Sequence, residues 1–172
     1  MKILTKAALA ATVATGLFAS PAFAAPADTE SFTAKAKIIK PVTMTNLTDL
    51  DFGTVTMNPT LTSETVTVSD APGSIAVCGS AQLGCSGGAP ANFTLTGGVA
   101  GQSIQVTYNT PPSVLTHTNG SSTVGFTLDA IESVPLDTTG AGTFSVGGTI
   151  TVLASTVDGD YSADVDVVAN YL

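Results

Sequence analysis

Between residues 31 and 171, apolar and polar side chains alternate one for one in run after run, and no stretch shows the spacing of an amphipathic helix. Phe32, Ala34, Ala36 and Ile38 alternate with Ser31, Thr33, Lys35 and Lys37. Val66 and Val68 alternate with threonines, as do Phe93 and Leu95. Ile104, Val106 and Tyr108 share one face, as do Val124, Phe126, Leu128 and Ala130, and later Ile150, Val152 and Ala154. Turn formers bound these runs: Asn58-Pro59, Ala71-Pro72-Gly73, Gly97-Gly98, Pro111-Pro112, Asn119-Gly120, Gly140-Ala141-Gly142 and Asp158-Gly159. Short Thr/Val-rich strands at this spacing predict an all-β chain, a sandwich or a barrel. The last run is the longest: Tyr161, Ala163, Val165, Val167, Ala169 and Tyr171 on one face, Ser162, Asp164, Asp166 and Asn170 on the other. It predicts one long closing strand. The Gly-rich segment 79–90 reads as a loop.

The first residues have a different character. Lys2 and Lys6 precede an apolar stretch from Ala7 to Ala19, and Ala22-Phe23-Ala24 matches the small-x-small cleavage pattern of a secretory signal. Residues 1–24 are therefore expected to be removed, with the cut after Ala24 rather than after Ala25, which would set Pro26 against the scissile bond. The apolar run is shorter than the ~20 residues a membrane helix needs, and no later stretch predicts a span. Residues 25–30 then read as a short leader and 31–172 as a single domain. Beyond residue 24 three lysines (Lys35, Lys37 and Lys40) face 13 carboxylates, and the chain has no arginine. A formal charge of −10 argues against nucleic acid or anionic membrane surface as a partner, since both need Lys/Arg patches. Outside the cytoplasm, Cys78 and Cys85 are expected to form a disulfide.

No motif assembles an active site, so no catalytic, cofactor or metal residues are assigned and no enzyme activity is expected. Gly84-Cys85-Ser86-Gly87-Gly88 has the spacing of a hydrolase nucleophile elbow, which works between a strand and a helix with a histidine base. No helical pattern follows it, and His117, beside a turn, is the sole histidine. Asp158-Gly159-Asp160 with Asp164 and Asp166 invites a calcium reading, but the spacing departs from the EF-hand loop, and the expected reading is a turn feeding an acid-faced strand. Asn46, Asn92 and Asn119 begin N-x-[ST] sequons, which in a bacterial export product are expected to carry no glycan.

The segment 31–40 stands out instead. It follows the expected cleavage site closely, alternates well and holds every lysine left after cleavage. Residues 41–172 carry 11 carboxylates and no lysine or arginine, so Coulomb attraction favours docking this segment on acidic surface, its own or that of another copy. It can be an ordinary first strand, or a donor strand that completes a neighbour's sheet with Phe32, Ala34, Ala36 and Ile38 as inserted side chains.

Ala36-Lys37-Ile38-Ile39-Lys40-Pro41-Val42-Thr43-Met44, then Asp49-Leu50-Asp51-Phe52-Gly53, resembles the opening of a bacterial secreted domain-of-unknown-function family, number 4402. The likeness continues through 91–97, 146–150 and the closing 159–171. That family is similar in layout to the spore-coat-U-like pilins of archaic chaperone–usher fimbriae. The resemblance implies an immunoglobulin-like (Greek-key) β-sandwich, incomplete and closed by a donated strand. It also implies other copies of the chain or related pilin subunits as partners, a periplasmic chaperone and an outer-membrane usher, and a place on the cell surface reached through the periplasm. Those pilins place a cysteine shortly after the first strand, where this chain has Pro41. The expected function is a structural subunit of a fimbria-like polymer. The alternative is a monomeric secreted or periplasmic binding or adhesion module, and a hydrolase built on Ser86 is a third reading.

Overall fold

The computed structural model describes residues 30–172; the expected signal peptide, the cleavage residues Ala24 and Ala25, and leader residues 25–29 lie outside the described residues. The chain divides between Ala36 and Lys37. Up to Ala36, the described residues have no regular secondary structure and are exposed. From Lys37 on, the chain forms an all-β sandwich of antiparallel strands, with no helix among the described residues.

The largest sheet orders six strands as β13–β8–β9–β12–β3–β4. These are β3 (Ser63–Val68), β4 (Val77–Cys78), β8 (Val114–His117), β9 (Thr123–Leu128), β12 (Gly148–Leu153) and β13 (Tyr161–Ser162). A second sheet sets β6 (Ala91–Thr96) between β1 (Thr43–Thr48) and β11 (Gly142–Val146). A third sets β7 (Ser103–Asn109) between β10 (Val134–Pro135) and β14 (Asp166–Tyr171), and β2 (Thr54–Met57) pairs with β5 (Leu83–Ser86). Strands distant in sequence are neighbours, as when β12 runs between β9 and β3.

Alternation decides which side chains enter the core, because successive Cβ atoms point to opposite faces. Val66 and Val68 of β3, Val124 and Phe126 of β9, and Ile150 and Val152 of β12 are all buried in one cluster, with Leu61, Ala76 and Leu83. Their partners in the ladder fix this register: Ile150 lies opposite both Val66 and Phe126. A second cluster gathers Leu95 of β6, Ile104 and Val106 of β7, Val134 and Leu136. Phe144 packs against it and stacks on Phe93, ring centres 4.9 Å apart.

Four expectations need correction. The long closing strand is two strands: Tyr161–Ser162 pairs with β8 in the large sheet, while Asp166–Tyr171 pairs with β7 in another, and 163–165 carry the chain across. Its side chains nevertheless alternate between half-buried and exposed throughout 161–171, because the extended backbone persists through the crossing. The loop assigned to 79–90 contains β5, whose Gly-rich sequence hid a four-residue ladder with β2. Strands β9 and β12 stop at Leu128 and Leu153, leaving Ala130 and Ala154 exposed. Finally, 31–40 is not a strand in this chain, and the first strand is Thr43–Thr48. Alternation yields a strand only where another strand takes the backbone hydrogen bonds and a core takes the apolar face. Phe32 and Ile38 are instead 92% and 95% exposed.

Candidate functional site

An open cleft of about 1200 Å³, lined by polar and apolar surface in nearly equal measure, enters the body of the domain. Its floor is the inward face of the strands already described: Phe93, Val124, Phe126, Ile150 and Val152. One rim runs through Leu50, Phe52 and Val55, the other through Tyr161, Ala163, Val165 and Val167. Leu50, Phe52, Val55, Tyr161 and Val165 pack on the core cluster yet stay half-exposed. Their other side faces the cleft. The neighbouring strands end their sheets: β14 pairs with β7 alone, β1 with β6 alone and β2 with β5 alone. Apolar surface, unfavourable in water, and unpaired strand edges, ready templates for a further strand, therefore coincide here.

Local backbone chemistry holds each rim. On the first, Asp51 and Ala89 exchange two backbone hydrogen bonds of 2.8 Å, and the Gly53 N–H donates to Asp51 Oδ1 at 2.7 Å. Gly53 sits at φ +67°, and a Cβ there would collide with the Ser86 carbonyl oxygen. The Leu50-Asp51-Phe52-Gly53 element thus turns the chain tightly enough to present Phe52 edge-on to Phe126, 6.0 Å between ring centres. On the second rim, Gly159 lies at φ +136° with the His117 ring where its Cβ would stand. Tyr161 packs edge-on against that ring at 4.9 Å, and its hydroxyl donates to the Val157 carbonyl at 2.6 Å. His117 Nδ1 accepts from the Asn119 N–H at 2.9 Å, which leaves Nε2 to donate to the Asp158 carbonyl at 3.0 Å. The chain's sole histidine is thereby a brace for the Asp158–Tyr161 turn.

The Cys78 and Cys85 sulfurs are joined, with Cα atoms 5.8 Å apart. Cys78 lies opposite Val66 in the large sheet and Cys85 opposite Val55 in the β2–β5 ladder. The bridge therefore ties β5, the ladder partner of the rim-bearing β2, to the main sheet, more than stapling a loop. Ser86 is paired with Thr54 at the end of β5, and both His117 ring nitrogens are engaged elsewhere, so the structure does not bring a base to that serine. The carboxylates of Asp158, Asp160, Asp164 and Asp166 border the cleft, and all four residues are exposed. Among the described residues, no three Asp, Glu, His or Cys side chains converge as a metal site would require. The sequon asparagines are engaged locally: Asn46 with Asp49, Asn92 with Thr48 and Ser145, and Asn119 with Ser121 and Ser122.

Tyr108, opposite Val167 in the β7–β14 ladder, also lines the cleft and donates its hydroxyl hydrogen to the Asp129 carbonyl at 2.6 Å. Burial, then the nearby Asp129 and Asp70 carboxylates, push its ionisation up to about 12. Burial first, and Asp70 second, also raise the Asp129 carboxyl.

The sequence singled out Phe32, Ala34, Ala36 and Ile38 but neither the cleft nor the anchor at the root of their segment. Tyr171 supplies that anchor. Its hydroxyl donates to the Lys40 carbonyl at 2.8 Å and accepts from the Val99 N–H at 3.0 Å. The only signal for it was an aromatic residue closing an alternating run. Lys37 Nζ donates to Gln102 Oε1 at 2.7 Å.

Neither a curated protein nor a solved structure matches the chain. The family model described as Domain of unknown function (DUF4402) matches residues 42–171, from the residue before β1 to the last residue of β14. With a match that takes in both rims, the floor of the cleft and every strand of the sandwich, the chain belongs to the DUF4402 family.

Proposed function

We propose that this protein is an exported structural subunit that polymerises at the cell surface by strand donation. Residues 31–40 of one copy lie in the cleft of the next and close its sandwich. The observation that carries this reading is the cleft itself: a trough with an apolar floor and a mixed polar rim, beside strands with unpaired edges, in a chain whose alternating segment has no strand partner of its own. Adding an extended segment to such an edge gives main-chain hydrogen bonds for affinity and side-chain pockets for specificity. The four inserted side chains from Phe32 to Ile38 would span about 20 Å at strand rise.

The signal-like N-terminus supports export, and the resemblance of the sequence to spore-coat-U-like pilins is in keeping with the same mode of assembly. On this reading the partners are other copies of the chain or related subunits, with a periplasmic chaperone and an outer-membrane usher on the route. No catalytic step belongs to it. A monomeric binding module would also use the cleft, but leaves the exposed Phe32 and Ile38 without a role. Deleting residues 25–40 tests the choice: the intact chain should form ladders on unheated SDS gels and the deleted one should not. An intact chain that stays monomeric under all assembly conditions defeats the proposal.

A further inference from the structure

The cleft has a charge pattern that its shape alone does not require. Asp49 and Asp51 stand on one rim, and Asp158, Asp160, Asp164 and Asp166 on the other, all in exposed positions. Nothing in residues 41–172 offers a lysine or arginine to neutralise them. The bases beyond residue 24 are His117, whose ring nitrogens are engaged, and Lys35, Lys37 and Lys40. In the single chain Lys37 bonds the neutral Gln102 side chain.

We propose that the cleft is charge-selective: its carboxylate rims recruit the lysine-bearing segment of a second copy and hold Lys35 and Lys37 on the solvent face. The inference rests on the strand-donation reading and adds the rule by which the cleft recognises its occupant. Period two supplies the geometry. With Phe32, Ala34, Ala36 and Ile38 directed into the cleft, Lys35 and Lys37 point outward. The adjoining 161–171 segment keeps Ser162, Asp164 and Asp166 on its exposed face. Opposite charges then sit side by side across the new strand pair, an arrangement that favours pairing. Away from this segment, two copies meet as like-charged bodies and repel. One basic segment on an otherwise acid-only chain thus makes the productive encounter the attractive one, which sets both rate and selectivity.

The test uses residues 25–172 carrying F32D and I38D, an acceptor that keeps its cleft and cannot donate. The probe is a fluorescent peptide of residues 30–41. Association is followed at about 20 mM and about 500 mM sodium chloride, conditions that lengthen and shorten the screening distance several-fold. The wild-type peptide should associate at least about tenfold faster at low salt. A peptide with K35Q, K37Q and K40Q should be slow and nearly salt-insensitive, and an acceptor with D164N and D166N should lose much of the preference. Equal rates and equal salt dependence for the two peptides overturn charge selectivity while leaving strand donation standing. No binding of the wild-type peptide at either salt concentration overturns both.

Discussion

Truncating Phe32 to alanine should weaken strand donation severely while leaving the folded domain untouched. Phe32 is 92% exposed in the single chain, so almost all its apolar surface would leave water on entering the cleft. Burying a phenyl group in place of a methyl is worth about 2 kcal/mol at ~25 cal/mol per Å². The void left by the truncation adds about 1 kcal/mol where the pocket cannot collapse. A loss of about 3 kcal/mol corresponds to a Kd raised roughly 150-fold. The assay is fluorescence anisotropy of the 30–41 peptide against the F32D/I38D acceptor, comparing F32A with T33A. Thr33 belongs to the outward face, so T33A should change Kd by less than about twofold, the range of ordinary surface substitutions. I38A should fall between the two. If F32A and T33A bind alike, Phe32 is not inserted and alternation does not mark the docked face.

Three other expectations concern the scaffold that holds the cleft open. Replacing Cys78 and Cys85 by serine removes a link closing a loop of sequence separation 7; chain entropy puts the loss near 2.5 kcal/mol, read as a lower urea midpoint, and an unchanged midpoint would show the bridge to be inert. Gly53→Ala must accept φ +67° and a clash with the Ser86 carbonyl, so a destabilisation of about 1–3 kcal/mol is expected, with a wild-type denaturation curve as the contrary result. Tyr108 is held protonated by burial and by Asp129 and Asp70, with its folded ionisation raised from 10.0 to about 12. Its contribution to stability is therefore whole below pH 10, where neither state ionises, and drains away as pH rises from 10 to about 12. Tyr108→Phe should flatten that part of the stability–pH curve, and identical curves for the two proteins would refute the assignment.

The strand faces were legible because period two is a local property. Val66, Val68, Phe126, Ile150 and Val152 were marked as one-sided by their own neighbours, and all are buried. β5 was not legible: the alternation of Leu83-Gly84-Cys85-Ser86 is only four residues long and set among glycines, and its pairing with β2 is decided 28 residues away, at Thr56 and Gly84. The 161–171 run shows the limit of periodicity. It reported the alternating faces, which the structure keeps, but not that the strand changes sheets at 163–165. The cleft was invisible for a related reason, since its floor joins residues of β6, β9 and β12 that become neighbours only after folding. For 31–40, alternation says that one face suits burial and nothing about which molecule buries it.

Amide hydrogen exchange on the assembled polymer, compared with the monomeric F32D/I38D chain, tests strand donation most directly. The account predicts that amides between Phe32 and Ile38 exchange freely in the monomer and become strongly protected in the polymer, together with those at the Val165–Val167 rim. A polymer in which 31–40 still exchanges as fast as in the monomer would contradict it.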